Sequence, residues 1–271
     1  MTICTMETQL PDDYPKIIYK YRDWSNDFHK KTIINRELFF ASPALFNDPI
    51  DCKIPVAYYK LEEDSELALK YFEGYVAKTF PNENEIERQL RVQVFIKEGK
   101  FRDQRWLECT EQLEFKQLSE KFGILSLSKH KEKMLLWSHY AASHTGFCIG
   151  FKTDELFLNK ERFGRAGQVI YNEEFPIILP TECPYDQLIK QIYTKSNVWC
   201  YEDEYRVIKD PPNQTVEFTQ NEVAEIIVGS GMKESEVKSV ISICKCNFPE
   251  TPIFKAIVIP RTFKLDFKQI N

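Results

Sequence analysis

Apolar and polar positions alternate along this chain in stretches that separate strand-like from helix-like segments. Ile17, Tyr19 and Tyr21 alternate with Ile18, Lys20 and Arg22, the period of two that predicts a first strand. Residues 23–31 are polar, and Asn35-Arg36 turns the chain into a second strand over Glu37–Ala41. A loop follows, Ser42-Pro43-Ala44-Leu45-Phe46-Asn47-Asp48-Pro49, in which the last proline holds Asp48 extended. The stretch from Phe122 to Phe151 is the best organised, and its pattern predicts strand, helix, strand. Ile124, Leu125 and Leu127 form a short apolar run, and Met134, Trp137 and Ala141 recur at helical spacing. Gly146 reads as the helix stop, at a residue free to take positive φ. Phe147, Ile149 and Phe151 alternate with Cys148 and Gly150 as a half-buried strand would. This arrangement sets Ser138, His139, Tyr140 and His144 near one rim.

Between residues 62 and 121 the pattern becomes helical. Leu67, Tyr71 and Val76 fall near one face of a first helix, and Ile86, Leu90, Val94 and Trp106 along a second and third. The reading is a helical insertion within a single domain spanning 1–271, its charge-laced helices packed on one face. Downstream, strands are expected at 168–171, 198–209 and 254–259 and helices at 184–197 and 233–240, with an apolar run over 223–229 and a hairpin extended by Glu217-Phe218. The expected fold class is α+β: a split or strongly bent antiparallel β-sheet with a helical insertion.

Composition narrows this picture modestly. A chain of 271 residues, 43% hydrophobic and 14% aromatic, can bury a real core. Twenty Phe and thirteen Tyr against nine Gly favour β-rich packing over a glycine-looped nucleotide fold. The net charge of −5 gives no global attraction to nucleic acid. No apolar run is long enough to span a membrane, and no basic start precedes an apolar block, so a cytoplasmic protein is expected. The eight cysteines are scattered and expected to be reduced. Cys244 and Cys246 are close, but without a second pair they do not make a zinc site, and no metal is expected.

The candidate chemistry centres on Glu202-Asp203-Glu204. On a strand, Glu202 and Glu204 share a face roughly 6.5–7 Å apart at Cα, with Arg206 following. Such carboxylates either project into a pocket or line a solvent-facing edge where Arg206 neutralises one of them. Arg22 on the first strand can hold a phosphate or carboxylate bidentately, or form an ordinary surface pair with its surroundings. Ser42, Asn47 and Asp48 orient a ligand or simply close a tight turn. His139 and His144, five residues apart, diverge by about 140° on a helix and do not form an i, i+4 metal pair. No Walker loop, GxGxxG, GxSxG or Cys-His signature occurs.

Four segments together, YKYR, LFFASPALFNDPID, LWSHYAASHTGFCIGF and W-x-YEDEYRVI, resemble a widespread bacterial family of unknown function, the one numbered 2971. The resemblance runs from about Tyr19 to Ile259 and implies no established activity. More loosely, Arg22, Ser42 and Glu202-Asp203-Glu204 occur in the order found in mono-ADP-ribosyltransferases of the Arg-Ser-Glu type, which are built on a split β-sheet. That resemblance implies an NAD-consuming transferase or glycohydrolase, of the kind used as toxins or phage-defence effectors, acting on a protein or nucleic-acid acceptor. By the same likeness Arg22 holds the NAD pyrophosphate and Ser42 positions Glu204. Glu204 stabilises the oxocarbenium character of the ribose, and Glu202 assists the acceptor. Tyr21, Asn47, Asp48, Trp137, His139 and Tyr140 complete the expected NAD site, with Trp137 or Tyr140 stacked on nicotinamide. Two departures stand out: the serine segment reads Phe-Phe-Ala-Ser-Pro rather than Ser-Thr-Ser, and the helical insertion separates Ser42 from Glu204. The alternatives are a nuclease or other phosphoryl-transfer enzyme using His139, His144, Asp48 and Glu204, and a non-catalytic module that binds a ligand or a protein.

Overall fold

The structure, a computed structural model, describes residues 10–271. In chain order the first elements are β1 (Ile17–Arg22), α1 (Asp27–Ile34), β2 (Glu37–Phe40), α2 (Lys60–Glu63), α3 (Ser65–Thr79), α4 (Glu85–Lys97) and α5 (Gln104–Lys121). Next come β3 (Gly123–Ser128), α6 (Met134–Tyr140), β4 (Phe147–Lys152), α7 (Thr153–Phe157), α8 (Lys160–Phe163), β5 (Arg165–Gln168) and β6 (Ile170–Asn172). The last are α9 (Pro184–Tyr193), β7 (Thr194–Ser196), β8 (Glu204–Lys209), β9 (Gln214–Glu217), β10 (Val223–Val228), α10 (Glu234–Asn247), β11 (Ile253–Val258) and β12 (Leu265–Gln269). The described residues fall into two compact units: 10–45, 121–169 and 198–271 make the first, and 46–120 and 170–197 the second.

The first unit is built on one open eight-stranded sheet in the order β12-β11-β10-β4-β1-β3-β8-β5. The class is α+β, as the pattern predicts. The sheet is mixed, because α10 carries the chain from β10 to a parallel β11, and every other neighbouring pair is antiparallel. The sheet opens at its centre: β1 and β4 pair along their full length, but β1 and β3 meet at one position, Tyr19 opposite Ser128. Where that ladder parts, Lys20 Nζ donates to the Ser126 carbonyl at 2.6 Å and takes the place of a strand partner.

Both faces of the sheet are covered. Ile18, Phe147, Ile149, Phe151, Tyr205 and Val207 pack on one face with Ile226 and Val240. Tyr19, Tyr21, Cys148 and Ile227 pack on the other with Leu136 and Trp137 of α6. β4 is therefore buried on both sides, not half-buried as its alternation suggests; Cys148 and Gly150 sit on the second face, where a larger residue at 150 would strike Tyr19. Seven cysteines, from Cys52 to Cys246, are free thiols, and Cys4 lies outside the described residues. No helix among the described residues is long and apolar enough to cross a membrane.

In the second unit α3 buries Ala68, Phe72 and Val76 at i, i+4 and i+8 against an aromatic cluster that includes Tyr58, Tyr71 and Trp106. On α4 the expected inward row of Ile86, Leu90 and Val94 is exposed; Val92, one turn-face away, is the buried residue.

Local boundaries differ from the pattern where polar side chains cap a turn. The polar stretch 23–31 contains the start of α1, begun by the Asn26 side chain, which accepts from the Phe28 and His29 N–H groups. The helix expected over 184–197 ends at Tyr193, since β-branched Thr194 enters the extended β7 and pairs with β6. The strand expected over 168–171 is split between β5 and β6.

Gly146 is also used differently. In the turn that follows α6 the residues with positive φ are Ala142, Ser143 and His144, at 46°, 52° and 69°. Gly146 instead allows close approach: an added Cβ would lie 2.1 Å from the Arg22 carbonyl oxygen. Gly146→Ala is expected to destabilise by about 2 kcal/mol or more, through displacement of β1 from the α6–β4 turn, read as a lower denaturant midpoint at unchanged m.

Candidate functional site

The largest correction to the sequence reading falls on its central motif. Residues 198–209 do not form one strand; Asn197–Glu202 winds as a 3-10 turn, and β8 begins at Glu204. Asp203 joins them with φ of 40°, a left-handed conformation that Asp tolerates better than most residues. Apolar-polar alternation cannot distinguish this from a strand. What decides it is the partner, since β3 ends at Ser128, opposite Glu204, and offers no ladder beyond. Side chains and loop atoms replace the ladder: Ser128 Oγ donates to the Glu202 carbonyl at 2.6 Å, and the Lys129 N–H donates to the Asp203 carbonyl at 3.2 Å.

The kink turns three consecutive acids toward three different partners. Glu204, 3% exposed, accepts from Arg206 Nε at 2.8 Å and from an Arg206 terminal nitrogen at 3.2 Å, and Arg206 is itself completely buried. Asp203 Oδ2 lies 2.5 Å from His130 Nε2, while His130 Nδ1 lies 2.8 Å from Glu132 Oε1. Glu202, 4% exposed, accepts the Tyr140 hydroxyl at 2.6 Å. Burial and the adjacent Glu202 charge push the Tyr140 hydroxyl well above the usual phenol range, so it stays protonated and donates. The solvent-facing edge is excluded, because β8 runs between β3 and β5 and both glutamates are buried.

The remaining candidate residues scatter around this centre. Tyr21 is close by on the same face; its hydroxyl donates to the His130 carbonyl at 2.6 Å, and burial raises its pKa. Trp137, expected to stack on a ligand, is fully buried, with Nε1 donating to the Lys131 carbonyl at 2.8 Å; it is a core residue. His139 is exposed, its ring 6.2 Å from Trp199 and 6.4 Å from Tyr201, and these aromatics gather beside Tyr140. His144 stacks on Trp137 and has Nε2 3.4 Å from Ser138 Oγ; burial lowers its pKa.

Arg22 lies elsewhere. It pairs with Phe147, and strand alternation sends both to the face of Ile18, whereas Glu204 shares the opposite face with Ser128 and Tyr19. Ser42 also sits apart. It follows the Ala41–Ile124 bridge at the start of β3, about 13 Å along that strand from Glu204's partner Ser128. The Ser42 N–H donates to Asn213 Oδ1 at 3.0 Å and its Oγ accepts from the Ala44 N–H at 3.3 Å. Asn47 and Asp48 belong to the second unit, where Asp48 Oδ1 accepts the Ile50 N–H at 2.9 Å in a tight turn. Among the described residues no group of three or more His, Cys, Asp or Glu side chains is arranged to hold a metal ion.

Sequence reading missed Ser128, His130 and the burial of Arg206. Ser128 and His130 flank the end of a strand, and nothing in their local spacing signals a contact 73 or more residues away.

Residues 136–207 match the model of a family described as a protein of unknown function, DUF2971. The match begins in α6 and ends in β8, so it contains Tyr140, Glu202, Glu204 and Arg206, while the YKYR and LFFASPALFNDPID segments fall outside it. No curated protein and no solved structure matches the chain. None of these comparisons supports the expected resemblance to ADP-ribosyltransferases.

Proposed function

We propose that this chain breaks the nicotinamide–ribose bond of NAD, passing ADP-ribose to water or to a macromolecular acceptor. The observation that carries the reading is a pair of buried carboxylates, two residues apart, of which Glu204 accepts from the Arg206 guanidinium and Glu202 from the Tyr140 hydroxyl. Glu204, with its charge held by Arg206, supplies a fixed negative field that favours a cationic ribose over its neutral precursor. Glu202 exchanges its bond to Tyr140 for one to the acceptor, and takes the proton released when the acceptor oxygen or nitrogen bonds to the ribose carbon. Nicotinamide leaves with the electron pair of the broken bond. The aromatic rings of His139, Trp199 and Tyr201 lie near enough to flank a planar leaving group.

The test incubates adenylate-labelled NAD with bacterial lysate and either wild type or Glu202→Gln, with nicotinamide release measured in parallel. Label or nicotinamide produced by wild type and lost in the variant supports the reading; wild type without either activity overturns it. One observation favours a second, purely structural reading, in which the acidic segment latches β8 to β3. Arg206 engages both Glu204 oxygens. On that reading Glu202→Gln lowers activity only as far as it lowers the folded fraction.

A further inference from the structure

On the face of the main sheet opposite Glu204, β1 carries two cations beside apolar neighbours. Lys20 and Arg22 share the side of Ile18, which is part of the core. Lys20 bridges the opened ladder through its bond to Ser126. Arg22 has no comparable task. Its guanidinium makes one hydrogen bond, Nε to Thr32 Oγ1 at 3.4 Å, and forms no ion pair with any described carboxylate. That bond is long, and it occupies one of five N–H donors.

The surroundings do not compensate the charge. Asp23, next in sequence, turns its carboxylate to the Ser25 N–H and hydroxyl, both at 2.7 Å. His29 on α1 accepts the Asp23 N–H at Nδ1 at 3.3 Å, which leaves its Nε2 as the protonated nitrogen of a neutral ring. Burial, together with the charges of Arg22 and Lys20, pulls the His29 pKa down to about 4. Burial alone pulls that of Arg22 down to about 10. A cation taken out of water without an anion is destabilising, and it is kept where an anion comes to meet it.

We propose that Arg22, His29 and Thr32 form a binding site for a phosphoryl group. A guanidinium fork, an imidazole N–H and a hydroxyl approach from α1 and β1, and these donors suit a tetrahedral set of oxygens. The site is independent of the carboxylate pair, since the two lie on opposite faces of the sheet.

The depressed His29 pKa carries its own check. The unfolded ring titrates near 6.5 and the folded ring near 4, so between those values the unfolded chain binds the proton first. The stability from this group is complete above about 6.5 and is lost as pH falls toward 4. His29→Gln is expected to flatten the melting temperature across that window.

The binding test follows the melting temperature of the full chain at pH 7 as inorganic phosphate replaces chloride at constant ionic strength. Wild type is expected to show a saturable rise at millimolar phosphate. Arg22→Met should lose the rise and melt in chloride at or above the wild-type temperature, because a half-buried cation that forms no ion pair with any described carboxylate has been removed. Thr32→Val, which keeps the guanidinium, should weaken the half-saturating phosphate at least threefold and serves as the reading if Arg22→Met does not fold. Glu202→Gln should retain the full phosphate response, so a failure of the NAD reading leaves this result intact. A wild type insensitive to phosphate, or an equal rise in Arg22→Met, overturns the site.

Discussion

Arg206→Met is expected to lower folding stability by about 3–5 kcal/mol, the largest effect of any single substitution considered, because it removes a completely buried guanidinium that holds the buried Glu204 carboxylate. Arg206 is fully buried, and Glu204 accepts from its Nε at 2.8 Å and from a terminal nitrogen at 3.2 Å. Desolvating a carboxylate without a partner is far more costly than losing the net attraction of the pair, so the damage comes from the charge left behind. The double variant Glu204→Gln/Arg206→Met removes both charges and should recover part of the loss. Urea denaturation of the single and double variants reads this directly; a single variant as stable as wild type would mean that the pair is hydrated and that Glu204 is not held in place. By the same argument Glu204→Gln takes from the buried Arg206 the carboxylate that it engages through two nitrogens. Its loss of activity could not be separated from its loss of fold.

Glu202→Gln avoids that difficulty and is expected to lower NAD consumption by about 10²-fold or more with little change in melting temperature. Glutamine has nearly the same shape, and its carbonyl oxygen can accept the Tyr140 hydroxyl as the carboxylate does at 2.6 Å. What it cannot do is take a proton from an acceptor at neutral pH. A variant with wild-type turnover and an unchanged fold would remove Glu202 from the chemistry. A variant that loses turnover only in proportion to unfolding would show the acidic segment to be a brace. Steady-state measurement should find the loss in kcat as well as kcat/KM, since the group acts after the substrate is bound.

Several pieces of this protein were legible in the order of its residues. The α+β class, β1, β3, α6, β4 and the apolar β10 follow from periods of 2 and 3.6, because each buries a row of side chains whose spacing is set by its own backbone. The candidate motif was also visible, since three consecutive acids in an apolar setting are conspicuous. Their arrangement was not. Alternation over 198–209 reads as a strand, yet β3 stops at Ser128, and the unpartnered half winds into a turn closed by Asp203. Likewise the order Arg22, Ser42, Glu204 says nothing about faces. One residue of parity along β1 sends Arg22 to the other side of the sheet, and only the β1–β4 and β3–β8 registers reveal it. The sequence by itself determined which segments could be strands and helices and which side chains carried charge. The pairing of Glu204 with Arg206, two residues on along the same strand face, was within reach of local pattern, whereas the tertiary structure alone decided the meetings of Tyr140 with Glu202 and His130 with Asp203, because these contacts span 62 and 73 residues, distances at which no local pattern carries information.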